Sequence, residues 1–211
     1  MADDLTFACV GARAEPYAVF PTLVFRLRIT EPSPGGLHAI ALRCQIRVEP
    51  HLRRYVPAEA ELLGDLFGDP ARWGDTLKPL QFATVSITVP AFRESTEIDL
   101  PVPCSYDLEV AAGKYFAALD EGEVPLLMLF SGTVFARTPD GFAVGQVPWH
   151  CEARHGLPVA VWRELMDRYF PESGWLRLRR DTLRTLHRFK SERAAATWDE
   201  AVELLLGENP R

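Results

Sequence analysis

The chain has 211 residues, of which 47% are hydrophobic and 25% charged, and its formal net charge is −6. That length suits one large domain, or a domain with an appendage, and it buries roughly 70% of the unfolded surface without help from a disulfide or metal. The acidic balance argues against general nucleic-acid affinity, and no apolar run reaches the roughly 18 residues of a membrane span.

Met1 leads into Ala2, Asp3 and Asp4, so a basic leader is lacking and no signal peptide is expected. Cys9, Cys44, Cys104 and Cys151 are widely spaced and form no CxxC pair. They predict reduced, buried thiols in a cytoplasmic protein. The 17 prolines punctuate short segments, as in chains of many strands joined by turns.

In chain order, Thr22–Ile29 alternates Leu23, Phe25, Leu27 and Ile29 with Arg26 and Arg28, and Ile40–Glu49 alternates Ile40, Leu42, Cys44, Ile46 and Val48 with Arg43, Gln45 and Arg47. Both read as half-buried strands. The link EPSPGG is loop chemistry, so the pair is expected to be an antiparallel hairpin. Ala58–Leu66 reads as a short helix before the loop FGDPARWGD. Phe82–Val89, Thr96–Val102 and Tyr106–Val110 alternate again, the last setting Asp107 and Glu109 outward. Gly113–Leu119 reads as one or two helical turns. Val124–Phe135 is apolar on both faces and is expected to be a central strand, and Phe142–Val147 follows the turn Pro139-Asp140-Gly141. After Gly156 the period becomes helical. Pro158 suits a first helical residue, with Val161, Trp162, Leu165 and Tyr169 as the stripe. Asp181 can cap a second helix carrying Leu183, Leu186 and Phe189. Thr197 and Glu200 fit a capping box before Val202, Leu205 and Leu206. The fold class is therefore mainly β with C-terminal α. It is read as an immunoglobulin-like β-sandwich of about seven to nine short antiparallel strands over 1–155, followed by a docked three-helix tail over 156–211. A barrel is the alternative. A bare bundle of some fifty residues is marginal, which favours docking.

The stretch PWHCEARH, Pro148 to His155, gathers two histidines, a cysteine and a glutamate. Read as a strand, Trp149, Cys151 and Ala153 share the core face, and His150, Glu152 and Arg154 the other. Cys151 and His155 have the same parity but stand roughly 13 Å apart along a strand. Zinc needs its ligand atoms within about 2.3 Å. No metal site is assigned there, and no cofactor is expected. The chain also lacks GxSxG, P-loop, GxGxxG and HExxH patterns, so no catalytic residue is assigned.

Charge patterning is more informative. In the expected hairpin Arg26, Arg28, Arg43 and Arg47 share one exposed surface, which Arg53 and Arg54 extend. Like charges side by side need an offset. Either Glu97, Asp99, Asp107 and Glu109 on later strands supply it as a salt-bridge ladder, or an acidic partner docks there. Trp175 to Arg193 holds seven Lys or Arg against two acids, and Arg180, Arg184 and Arg188 stripe one helix face. That stripe is either a solvated face turned toward the acidic β part or a docking helix for a partner protein. RNA binding ranks below both, because no aromatic interleaves these arginines.

The stretches LRCQIRVEPHLRRY, LLGDLFGDPARWGDTL, PVPCSYDLEVAAGKYFAALDEGEVPLLMLFSGTVFA and VAVWRELMDRYFPESGWLRLRR resemble, in order and over most of the length, an uncharacterised bacterial family, a domain of unknown function spanning the whole chain. The family has no assigned activity, so the resemblance carries over no catalytic residue. Its association with uptake nickel–iron hydrogenase genes implies an accessory or maturation role. The chain has none of the CxxC pairs and histidine clusters of a nickel or zinc carrier.

These readings favour a non-catalytic accessory or scaffold protein that binds a protein partner, a hydrogenase subunit or maturation factor. They leave room for a homo-oligomer. The partner-binding candidates are Arg26, Arg28, Arg43, Arg47, Arg53, Arg54, Arg180, Arg184 and Arg188. The alternative is a small-molecule or metal-binding protein with a pocket between sandwich and helices, lined by Trp73, Tyr115, Phe116, Trp149, Trp162 and Trp175. Large aromatics more often fill a core. An enzyme whose site assembles from distant residues is a third reading.

Overall fold

Period-two alternation over the first 155 residues becomes, among the described residues, eight strands in two antiparallel sheets. The computed structural model describes residues 4–32, 35–104, 110–138, 141–171 and 178–208. Two units are distinct, Met1–Pro171 and Glu172–Arg211.

In the first unit, β1 (Thr6–Ala14), β2 (Thr22–Glu31) and β5 (Glu94–Pro103) form one sheet in the order β1-β2-β5. The other sheet holds β3 (Ala39–Val48), β4 (Leu80–Val89), β6 (Glu123–Thr138) and β7 (Gly141–Gln146) in the order β4-β3-β6-β7, and β8 (Glu152–Pro158) also pairs with β6. Between strands lie the helices α1 (Pro57–Phe67), α2 (Trp73–Thr76) and α3 (Val110–Ala117), and α4 (Val159–Tyr169) follows β8. β6 is central, as its two apolar faces predicted. It pairs with β3 along one side and with β8 and then β7 along the other.

The expected β2–β3 hairpin does not form: the two strands lie in different sheets. Pairing them would have set arginine beside arginine. Instead β2 pairs with β5, which places Asp99 opposite Arg26 and Glu97 opposite Arg28. The inner rows of β2 (Leu23, Phe25, Leu27, Ile29) and β3 (Ile40, Leu42, Cys44, Ile46, Val48) still meet, as contributors from both sheets to one buried core. The alternation thus gave the right face for each strand and the wrong neighbour.

Other expectations shift. The segment TFACVGARA forms β1, which its small residues and its bulge between Cys9 and Gly11 concealed. Of the strand expected over Tyr106–Val110, residues 105–109 lie outside the described residues, and Val110 opens α3. The strand expected at Trp149–Ala153 starts at Glu152, because the chain turns at Trp149 and His150. Parity is lost across that turn, so Cys151 is buried while Trp149 is 93% exposed. Pro158 caps α4 rather than opening it.

The aromatic residues considered as pocket lining mostly fill the core. Phe116 stacks on Trp162 at 4.4 Å, and Phe82 packs against both. Trp73 meets Tyr55 and Phe67 edge-on. Trp175 lies outside the described residues.

The second unit contributes α5 (Arg180–Glu192) and α6 (Trp198–Glu208). Thr197 caps α6, its hydroxyl accepting from the Glu200 N–H at 3.1 Å, while the Glu200 carboxylate accepts from the Ala196 N–H at 2.6 Å. No helix among the described residues is long and apolar enough to cross a membrane.

Candidate functional site

The nine arginines singled out by the sequence fall into four environments. Arg26 and Arg28 stand on the outer face of the three-stranded sheet, where β5 answers them. Arg26 donates to Glu97 at 3.2 Å and to Asp99 at 2.8 Å, and Arg28 donates twice to one Glu97 oxygen, at 3.0 and 2.8 Å. Arg13 closes the row, donating to Asp99 at 3.1 Å and to Glu15 at 2.7 Å. Hydrogen bonds from Arg28 and then Arg26 hold the Glu97 carboxyl below the usual carboxylate range. Burial pushes Asp99 upward, but hydrogen bonds from Arg26 and Arg13 outweigh it and hold this carboxyl low as well. The ladder offsets its own charge, and Glu97 and Asp99 are the members of the expected set that supply it.

Arg43 and Arg47 belong to the outer face of the other sheet, so the four strand arginines do not share one surface. Arg43 lies between Ser86 on β4 and Ser131 on β6, is exposed, and forms no ion pair with a described residue. Arg47 is half-buried and reaches Gln45 at 3.5 Å. Arg154, which is opposite Leu127 on the same face, is 3.7 Å from Glu152.

Arg53 is turned inward, a correction to its place among the surface candidates. Its side chain is 8% exposed and that of Glu59 4%, and the two meet at 2.6 Å. Arg53 also donates to the Glu121 carbonyl at 2.6 Å and the Glu123 carbonyl at 2.7 Å. Glu59 accepts from the Asp120 N–H at 2.9 Å and the Val56 N–H at 3.3 Å. Beside them the Tyr55 and Tyr115 hydroxyls are 2.8 Å apart, and burial pushes both hydroxyls up. This polar knot fastens the β3–β4 insertion to the start of β6. A buried charge of each sign, paired and further hydrogen-bonded, is what makes such burial tolerable. The sequence held a signal for it: Glu59, Leu63 and Phe67 recur at four-residue spacing on one buried helix face. A carboxylate on that stripe calls for a buried partner. Arg54, next in the chain, is exposed.

Arg180, Arg184 and Arg188 are exposed along α5. Arg184 is 3.7 Å from Asp181, and Arg180 and Arg188 form no ion pair with a described residue. Nearby in the same unit, Leu183, Trp198, Val202 and Leu206 are 41%, 39%, 38% and 69% exposed. His187 meets the Trp198 ring edge-on at 4.5 Å, and Lys190 donates to the Ala195 and Ala196 carbonyls at 2.6 and 2.9 Å. His187, Lys190, Ser191, Ala194, Ala195 and Trp198 line an open hollow of about 480 Å³. Its contents are a cation already spent on carbonyls, an imidazole and an indole. That set suits contact with an apolar side chain better than acid–base chemistry.

In PWHCEARH, the Cys151 thiol donates to the Leu5 carbonyl at 3.3 Å. His155 points inward against Phe25, with its Nε2 unpartnered among the described residues. Desolvation lowers its pKa, so it is neutral at neutral pH. Among the described residues no three His, Cys, Asp or Glu side chains converge in a way that could hold a metal ion.

No curated protein matches the chain. Among solved structures it is similar to AT1g01470 from Arabidopsis thaliana, known from its solution structure. The identity is 8% and the TM-score 0.41, over 72% of this chain and 80% of that one. The family comparison reaches almost end to end: the model described as "Family of unknown function (DUF6084)" matches residues 2–211, and the chain belongs to that family.

Proposed function

We propose that this is a non-catalytic accessory protein that binds a protein partner through its C-terminal helices. The observation that carries the reading is the α5–α6 unit. Arg180 and Arg188 stand exposed without ion-pair partners among the described residues, in the same forty-residue segment as the exposed Leu183, Trp198, Val202 and Leu206. Exposed apolar side chains and exposed arginines in one unit suit a partner with an apolar groove and an acidic rim. The arginines on β2 are spent on Glu97 and Asp99, which leaves α5 the larger open cationic surface. In this reading the two-sheet body is an immunoglobulin-like sandwich serving as scaffold. The order β1-β2-β5 facing β4-β3-β6-β7 supports it. The family resemblance ties the role to nickel–iron hydrogenase assembly, with a hydrogenase subunit or maturation factor as partner.

The test is affinity capture of the native chain beside a variant carrying Arg180→Glu, Arg184→Glu and Arg188→Glu, from cells making the hydrogenase. A hydrogenase subunit or maturation factor held by the native chain and lost from the variant supports the proposal. Recovery of the native chain without such a protein, or equal recovery with the variant, sinks it.

A further inference from the structure

Among the described residues five strands border the two sheets with an unpaired side, and they are not alike. β5 carries Pro101 and Pro103 and the charges of Glu94, Glu97 and Asp99, devices that keep another strand away. β1 is bulged after Cys9 and carries Arg13 near its end, β7 has only 6 residues, and β8 carries Glu152 and Arg154 and ends in Pro158. β4 differs from all four. Leu80–Val89 is 10 residues long, contains no proline and no charged residue, and pairs with β3 alone among the described residues. A long uncharged edge of high β propensity is a template for strand addition. Its blunted part is the beginning, where the Gln81 side chain donates to the Ala83 carbonyl at 3.0 Å. Among the described residues nothing comparable covers it from Thr84 to Thr88, beyond a hydrogen bond from the same Gln81 side chain to the Thr84 hydroxyl at 3.1 Å. The core-facing Val85 and Ile87 are there only half-buried, while Thr84, Ser86 and Thr88 are exposed on the other face.

We infer that the β4 edge is a self-association site, and that its occupant is β4 of a second copy of this chain, paired antiparallel about a two-fold axis through Ser86. The segment is self-complementary in that register. Thr84 meets Thr88 of the second copy, Ser86 meets its own counterpart, and Val85 meets Ile87. Hydroxyl then faces hydroxyl on the outer side, and branched apolar faces branched apolar on the inner side, both favourable cross-strand pairs. Such a contact is isologous and closes at two copies. Charge favours a second copy on this edge rather than another. Each chain carries a net −6, so an edge without charge brings two together with least repulsion. Arg43, one strand in and opposite Ser86, lies three strand spacings from its counterpart, about 14 Å, beyond a Debye length at physiological salt. The inference is independent of the partner reading for α5 and α6.

A five-residue pairing is a small interface, so weak association is expected, with the dimer populated near ~100 µM. Sedimentation equilibrium of the full chain at that concentration, with circular dichroism as a check on folding, tests it. The native chain is expected to be dimeric. Ser86→Lys, at an exposed position, sets two like charges face to face on the axis and is expected to be monomeric with an unchanged spectrum. Gln146→Lys, on the opposite border of the same sheet, is expected to remain dimeric. Under oxidation Ser86→Cys is expected to give a disulfide-linked dimer, since facing residues in this register have Cα atoms about 5 Å apart, and Gln146→Cys is not. A native chain that is monomeric at ~100 µM overturns the proposal. So does a dimer that survives Ser86→Lys, or a monomer whose β4 edge takes up an extended segment of another protein.

Discussion

Arg53 and Glu59 form a buried ion pair at 2.6 Å, and neither can leave without stranding the other. Glu59→Ala leaves a guanidinium in the interior whose remaining acceptors are backbone carbonyls. The expected loss is about 3–5 kcal/mol, the usual cost of breaking rather than replacing a buried pair. Urea unfolding should show a lower midpoint at unchanged slope. The double variant Arg53→Met with Glu59→Leu is expected to recover much of that loss. If it is as unstable as the single variant, the pair is not what holds the insertion.

Gly132 has φ +141°, and a Cβ there would lie 2.0 Å from the Ala41 carbonyl oxygen of β3. Gly141 has nearly the same φ, +138°, with nothing within 4 Å of a Cβ. Gly132→Ala should therefore cost the backbone strain of about 1–3 kcal/mol plus the price of pushing β3 aside, and Gly141→Ala only the strain. Thermal unfolding of the two variants side by side isolates the close approach of β6 to β3. Equal shifts would mean that β3 yields freely.

Burial pushes the Cys44 and Cys104 thiols up to about 12 and the Cys9 thiol up to about 11. At pH 8 a thiol at 12 is ionised in about one molecule in 10⁴, so native alkylation of Cys44 and Cys104 should track unfolding. The linkage runs toward alkali. The unfolded chain gives up these protons near pH 8.5–9 and the folded chain does not, so stability is full below that pH and falls as pH rises toward 12. Iodoacetamide mapping by mass spectrometry should find Cys9 labelled before the other two. Rapid native labelling of Cys44 would contradict its burial.

Glu97 should titrate below an ordinary glutamate in an NMR pH series. Arg28→Ala should raise its midpoint more than Arg26→Ala does, because Arg28 is the larger cause of the shift. The folded value is depressed, so the ladder contributes above the unfolded carboxylate range and is lost as pH falls through the folded value. These groups are solvent-exposed, so added salt should shrink the shift.

How far the sequence reached is visible strand by strand. Period-two alternation placed Arg26, Arg28 and Arg43 outward and Cys44 inward, because the pleat leaves no other arrangement once one face is buried. It did not say which strands are neighbours. A seven-residue link between β2 and β3 serves a hairpin or a crossing between sheets equally well, and only the acids on β5 decide. Trp149 defeated the reading for a local reason: a turn of two residues resets the alternation without changing composition. At the candidate site the stripe on α5 was legible from its four-residue spacing. The burial of Arg53 was only half legible: Glu59 on a buried stripe called for a cation, but the other two acceptors are carbonyls, and every residue has one.

The core cluster has members from Leu5 through Leu165, including Val159, Trp162 and Leu165 of α4, and Tyr169 packs against it. A chain ending at Pro171 is therefore expected to keep its fold, with dispersed amide resonances. A chain ending at Pro158 loses the indole stacked on Phe116 and should aggregate. Equal behaviour of the two truncations would deny α4 its part in the core.

The Arg53–Glu59 knot also has a history on the ribosome. Its two charged residues leave the exit tunnel well before their remaining partners: Arg53 is 68 and 70 residues ahead of the Glu121 and Glu123 carbonyls, and Glu59 is 61 ahead of the Asp120 amide. At about 5–20 residues per second, that delay lasts roughly 3–14 s. Throughout it the insertion stays hydrated beside a nascent β3 that lacks β6, and for the first part of it lacks β4 as well. Completion belongs to the moment β6 emerges, when one strand both fills the centre of the sheet and delivers the carbonyls that let the guanidinium shed its water.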